Sequence, residues 1–252
     1  MRGLFVTGTD TGVGKSVVAA AICAALVKGG ERVAAFKPVV TGLGEPPDGW
    51  SPDEEPRAEW SPEEEPPGAW SPEEEPRDEW PPDHELLAAQ TGQRPDRVTP
   101  YTFGPPVSPH LAAELAGVAL EPAAMLAAAR AAGSGADVLV CEGVGGLMVP
   151  LTADYLVRDL AAALGLRVVI AARPGLGTIN HALLTVEAAR AAALTVAGVV
   201  MTPWPAEPDL VAVSNRATVE RLADVAVSTL PAIRPEELGA AGAGLPLASW
   251  LR

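Results

Sequence analysis

RGLFVTGTDTGVGKSVVAAAICAAL, residues Arg2 to Leu26, decides the fold of this chain. The apolar run Leu4-Phe5-Val6 reads as a buried parallel strand, Gly8 to Gly14 as a loop, and Lys15 onward as a helix. Backbone N–H groups of such a loop converge on an anion at the positive end of a helix. Lys15 is then placed for the β- and γ-phosphates of a nucleotide, and the Ser16 hydroxyl for Mg²⁺. Gly8 stands one residue earlier than the common spacing to Gly14 requires, so the loop is a lengthened variant.

A chain of 252 residues suffices for one α/β domain with a full core, or at most two small ones. It holds no run of eighteen apolar residues, so no membrane span is expected. The N-terminus enters a strand at once, without the basic and apolar regions of a secretory signal, which makes the cytoplasm the expected location. Cys23 falls in the first helix pattern and Cys141 in a buried strand; both read as core thiols.

The formal charge of −14 is unevenly spread. Between Glu45 and Pro82 fourteen Asp or Glu stand against two Arg, a net of −12, so the rest of the chain carries only about −2. This segment repeats every ten residues: WSPDEEPRAE from Trp50, WSPEEEPPGA from Trp60, WSPEEEPRDE from Trp70, with Trp80 opening a broken fourth copy. Dense proline blocks helices and ladders and dense carboxylates repel, so an extended, disordered insert is expected over 45–82. The repeat reads as duplication within a surface loop, with partner docking or cation collection as the alternatives. Neither nucleic acid nor a membrane is expected as a partner.

Outside the insert, strands and helices alternate. Arg32–Phe36, Val138–Cys141, Val168–Ala171, Val196–Met201 and Val225–Leu230 are apolar and β-branched enough for strands. Asp83–Thr91, Pro122–Ala132, Asp154–Leu164, Ile179–Ala192 and Leu210–Leu222 carry Ala- and Leu-rich faces at helical spacing. The expected architecture is α/β: a single domain over 1–252, interrupted by the insert, with a doubly wound, mostly parallel sheet and its ligands at the carboxyl ends of the strands.

The remaining informative residues fall at those ends. In VLVCEGVGGLMVP, Glu142 is the first polar residue after a buried strand, and Gly143, Gly145 and Gly146 allow close approach of phosphate. Glu142 suits a Mg²⁺ site completed by Ser16 and one more carboxylate. Lys37, in FKPVVTG, leaves the second strand beside the same edge.

Five segments in order resemble the signatures of dethiobiotin synthetases: GTDTGVGKS (Gly8 to Ser16), KPVVTG (Lys37 to Gly42), TPYTFGPPVSPHLAAELAG (Thr99 to Gly117), CEGVGG (Cys141 to Gly146) and LGTINHALLT (Leu176 to Thr185). The resemblance implies a phosphate-loop fold and an ATP-dependent ligase of biotin biosynthesis that joins 7,8-diaminononanoate and CO₂. A carbamate forms on one amine, the γ-phosphoryl group passes to its oxygen, and the second amine closes the ureido ring. Holding carbamate and triphosphate together calls for paired lysines and a Mg²⁺ ion.

By the same resemblance, Lys15 serves the phosphates and Lys37 the carbamate and the transferring group. Gly12, Val13, Gly14, Lys15, Ser16, Val17, Asp83, Glu142, Gly143, Val144, Gly145, Thr202, Pro231, Ala232 and Ile233 are implied for the nucleotide. Thr11 and Thr41 are implied for the diamine. Ser16, Asp83 and Glu142 are implied for the metal, with Glu85 the alternative to Asp83. A homodimer is implied as well, its interface segment Leu176, Gly177 and Asn180 gripping the carboxylate tail. Thr202 stands where many members carry an asparagine that reads adenine, so weak discrimination among nucleoside triphosphates is expected. Tyr101 and His110 read as structural.

Two other readings share the loop. A switch ATPase of the partition or septum-site type usually has a second lysine early in the loop, and residues 9 to 13 hold none. A cobyrinate amide-forming enzyme needs a glutaminase domain for which 252 residues leave no room.

Overall fold

The computed structural model describes residues 1–44 and 80–252. The three full copies of the acidic repeat, and the disorder expected of them, lie outside the described residues.

Among the described residues, eight strands and ten α-helices follow in chain order. The first half comprises β1 (Gly3–Gly8), α1 (Lys15–Lys28), β2 (Val33–Phe36), β3 (Val39–Val40), α2 (Asp83–Thr91), α3 (Pro95–Val98), β4 (Tyr101–Thr102), α4 (Pro109–Leu115) and α5 (Pro122–Gly133). The second half comprises β5 (Val138–Gly146), α6 (Val157–Leu164), β6 (Arg167–Ala172), α7 (Thr178–Ala191), β7 (Val196–Trp204), α8 (Leu210–Ala223), β8 (Val227–Pro231), α9 (Leu238–Ala243) and α10 (Leu247–Trp250).

Six strands form one parallel sheet in the order β2-β5-β1-β6-β7-β8. β1 lies between β5 and β6 and is buried along its whole length, which is why it reads as a continuous apolar run rather than an alternating one. Strand alternation still sorts side chains between two cores. Phe5, Leu139, Cys141, Val168 and Ile170 pack against α5 to α8. Leu4, Val6, Val138, Val140 and Val169 pack against α1, α2, α9 and α10.

Several boundaries differ from the sequence expectation for local reasons. α6 starts at Val157 rather than Asp154, because Asp159 caps back onto the Leu156 amide and Leu156 bridges Pro150. β3 and β4 form a separate two-stranded parallel sheet, too short to show periodicity. The C-terminal helices close the molecule: Trp250 is buried beneath Gly198, where a Cβ would come within 2.9 Å of the indole nitrogen.

The folded body resumes at Trp80, inside the segment assigned to the insert. Trp80 is half-buried against the core on the α1 face. The Pro82 carbonyl accepts from the amides of Glu85 and Leu86 at 2.9 Å, so it opens α2.

Candidate active site

The loop between β1 and α1 turns on two glycines with positive φ, Gly12 at 69° and Gly14 at 82°. A Cβ on Gly14 would lie 2.7 Å from the Thr202 methyl, so glycine is required there by both conformation and space. The turn leads to the α1 N-terminus, where the Val18 amide makes the first helical bond to the Gly14 carbonyl at 2.9 Å. Lys15 is buried, and its Nζ donates to the Asp10 carbonyl at 2.8 Å. Burial, and next the nearby Lys37 charge, lower its pKa to about 8.

Side-chain alternation delivers the two other decisive groups to the same face. Val138 and Val140 of β5 point toward α1, and Glu142 is the next residue of that series. Val33 and Ala35 of β2 do likewise, and Lys37 continues them past the strand end. Ser16 Oγ, in the first turn of α1, donates to Glu142 Oε1 at 2.8 Å. Lys37 Nζ donates to that same Oε1 at 2.5 Å and to Asp83 Oδ2 at 2.5 Å.

This is a compact array of opposed charges. Burial by itself would lower the Lys37 pKa, but Asp83 and Glu142 outweigh it and hold the ammonium charged. Burial raises the Glu142 pKa above the usual carboxylate range against the pull of Lys37. For Asp83 burial works in the same direction, yet Lys37 prevails and the pKa is lowered. Glu142 is fully buried, and its Oε2 has no hydrogen-bond partner. Such an orphaned carboxylate oxygen, with a hydroxyl and a second carboxylate beside it, is a donor set of hard oxygens suited to Mg²⁺. Among the described residues no group of three or more His, Cys, Asp or Glu is arranged for a metal. Asp83 faces the site, whereas Glu85 is exposed and outside it.

A cleft of about 590 Å³ opens over this array. Its walls include Thr11, Gly12, Gly14, Lys15, Ser16 and Val17 from the loop and helix start, Lys37, Thr41, Val144 and Gly145 from the sheet edge, and Asp83 from the start of α2. Val13 and Gly143 are buried under them, Gly143 packing so closely on Phe5 and Val157 that a Cβ would meet both. Thr202 sits behind the loop against Gly14. Pro231, Ala232 and Ile233 lie at the exposed end of β8, apart from this cleft. The apolar Val39, Trp80, Leu86, Val107 and Val149 also line the cleft, and of these Trp80 and Val107 lie in proline-rich segments without a strand or helix pattern.

Leu176, Gly177 and Asn180 are not in the cleft. Gly177, at φ 88°, caps α7, and Asn180 is exposed on its first turn. Leu176, 97% exposed, borders a smaller hollow of about 240 Å³ with Thr9, Asp10, Thr11, Arg173, Thr178 and His181. Arg173 spans the hollow's edge and donates to the Gly12 carbonyl at 3.0 Å. Tyr101 lies in the small sheet, and exposed His110 in the first turn of α4 behind Ser108.

Comparison with known proteins agrees with this geometry. The family described as "AAA domain" matches residues 2–235. The chain is 42% identical over 225 residues to "ATP-dependent dethiobiotin synthetase BioD" of Anaeromyxobacter dehalogenans (strain 2CP-1 / ATCC BAA-258), covering 88% of this chain and 86% of that protein. It is 32% identical to the protein of the same name from Bacillus subtilis (strain 168), covering 90% and 85%. The solved structure of "Cyanthece apo McdA" shares the fold at a TM-score of 0.50 with 11% identity, over 98% of this chain and 92% of that one. The phosphate loop, the lysine between two carboxylates and these relatives together make the chain a member of the ATP-dependent dethiobiotin synthetase family.

Proposed function

We propose that this protein is an ATP-dependent ligase that forms dethiobiotin from 7,8-diaminononanoate and CO₂, acting in the cytoplasm as a homodimer. The observation that carries the reading is the buried Lys37 ammonium, 2.5 Å from both Asp83 and Glu142 and sharing a cleft with Lys15. A reaction that brings a carbamate against a triphosphate needs fixed positive charge where the two anions meet.

In this mechanism the loop amides around Gly12 to Gly14 and the Lys15 ammonium hold the triphosphate at the α1 N-terminus. Ser16, Asp83 and Glu142 hold Mg²⁺, which supplies charge neutralisation on the phosphates. Lys37 neutralises the carbamate oxygen and the phosphoryl group it accepts. Thr11 and Thr41 hydrogen-bond the diamine, and the apolar walls Val39, Val107 and Val149 take its methylene chain. The second amine then attacks the carbamic-phosphoric anhydride, its carbon–nitrogen bond forms, and phosphate leaves. No protein nucleophile is required; Cys141, fully buried and with its thiol pKa raised first by burial and then by Glu142, is suited to packing alone.

The adenine is assigned to the backbone at Pro231, Ala232 and Ile233, with Thr202 beside it. The homodimer is supported by apolar side chains exposed around α7: Leu176, Leu184 at 61% and Met148 at 53%. A second copy covering them would place the Leu176 to Asn180 segment at the carboxylate end of its partner's diamine.

The deciding assay is incorporation of labelled bicarbonate into dethiobiotin by purified protein with diaminononanoate, ATP and Mg²⁺. Product confirms the ligase. Tight nucleotide binding with no product from any nucleoside triphosphate would overturn it in favour of a nucleotide switch.

A further inference from the structure

Among the described residues, Trp80 is the aromatic one in the lining of the cleft. It opens the broken fourth copy of the decapeptide repeat, yet it belongs to the folded body, half-buried against the core of the α1 face together with Val17. Its position is stiffly tied to the charged array. Trp80-Pro81-Pro82 runs directly into Asp83, Pro82 holds φ −48° and ψ 143°, and the Pro82 carbonyl caps α2. The indole is thus held at a set offset from the Asp83 carboxylate and, through it, from Lys37 and Glu142.

The location within the cleft selects the ligand. α2 packs on α1, so Trp80 and Pro81 form the wall on the side of Ser16 and Val17, the first turn of the phosphate-binding helix. Thr41, Pro106 to Pro109, Val144 and Val149 come from the strand ends and loops of the other walls. A flat apolar ring beside a helix N-terminus offers van der Waals contact along the triphosphate arm of a nucleotide whose base is assigned to the opposite flank of α1, while the loop amides take the charge.

We propose that Trp80 is a nucleotide-contacting residue, its indole packing against the nucleoside triphosphate seated on the phosphate loop. This rests on the ligase reading for its substrates but not for its test, because nucleotide binding is measured without diamine.

The experiment is titration of the full chain with MgATP, followed by tryptophan fluorescence and by calorimetry, for wild type, Trp80→Phe and Trp80→Ala. The wild-type fluorescence change is expected to fall in Trp80→Phe to the part contributed by Trp204, which is registered against Pro231, while the affinity stays within about twofold. In Trp80→Ala the Kd for MgATP is expected to rise about tenfold, with the diamine KM unmoved. An unchanged Kd in a folded Trp80→Ala protein, or a loss confined to the diamine KM, overturns the assignment. Should Trp80→Ala fail to fold by circular dichroism, a Trp80→Phe protein that retains the wild-type fluorescence change overturns it instead. A Trp80-dependent response to MgATP without dethiobiotin formation would count against the ligase and leave this contact standing.

Discussion

Lys37 Nζ and Glu142 Oε1 lie 2.5 Å apart, and the two side chains are 4% and 0% exposed. The lysine also pairs with Asp83, so one ammonium bridges the two carboxylates proposed for Mg²⁺. Replacing it therefore has two separable consequences. Lys37→Gln should lower turnover by about 10²–10³-fold, as expected for loss of one preorganised charge at the reacting oxygens. The same variant, freed of the competing ammonium, should bind Mn²⁺ more tightly than wild type in the absence of nucleotide, as read by electron paramagnetic resonance. Unchanged turnover would remove Lys37 from the chemistry; weaker Mn²⁺ binding would show that the carboxylates need the lysine to stay in place.

The base selectivity we propose rests on Thr202. It is buried with its methyl against Gly14 and presents at most one hydroxyl where an amide would offer a paired edge. We expect kcat/KM for ATP, CTP and GTP to fall within about tenfold of one another, since a site lacking a paired polar edge rejects analogues weakly. A strong preference for ATP in steady-state comparison would place base recognition in backbone groups alone.

Gly242 is where α9 meets α1. A Cβ there would lie 2.0 Å from the Ala21 carbonyl oxygen, a contact that rigid backbone cannot relieve without moving the helices apart. Gly242→Ala should lower Tm by about 5–10 °C in a thermal melt. A Tm equal to wild type would mean that the C-terminal helices do not hold α1 in solution.

Asp137 and Arg32 clamp the starts of β5 and β2 through bonds to both the guanidinium and the backbone amide of Arg32. The Arg32 hydrogen bonds lower the Asp137 pKa to about 2 from 3.8. Because the folded value lies below the unfolded one, the stabilisation is fully present above the unfolded pKa and is lost as pH falls toward 2. In urea titrations the advantage of wild type over Asp137→Asn should be constant at higher pH and vanish across that window. An advantage that persists to pH 2 would assign it to something other than ionisation.

In sequence the acidic repeat falls between Lys37 and Asp83 of the charged array, while Trp80 to Pro82 belong to the cleft wall and the start of α2. Replacing 46–79 with a short Gly/Ser linker should leave turnover near wild type. A large loss would show that the repeat shapes the site.

How far the residues could be read in advance divides along a physical line. The phosphate loop, the alternation of strands and helices and the parallel sheet were legible, because burial of β1 on both faces and the helical spacing of Ala and Leu are local patterns. Glu142 and Lys37 were legible too, as the first polar residues after buried apolar runs, although β5 continues through Glu142 to Gly146. Their pairing was not. It arises because β2 and β5, about a hundred residues apart, lie side by side with the same alternation phase, and because Pro82 starts α2 at Asp83 rather than at Glu85. The place of Trp80 was hidden for a similar reason. In the chain it is one more tryptophan of a charged, proline-rich repeat, and only packing against the core on the α1 face makes it a wall of the cleft. Local patterns specify which segments become strands and helices; which charges end up within 3 Å of each other depends on strand order and helix packing, to which sequence neighbours carry no direct signal.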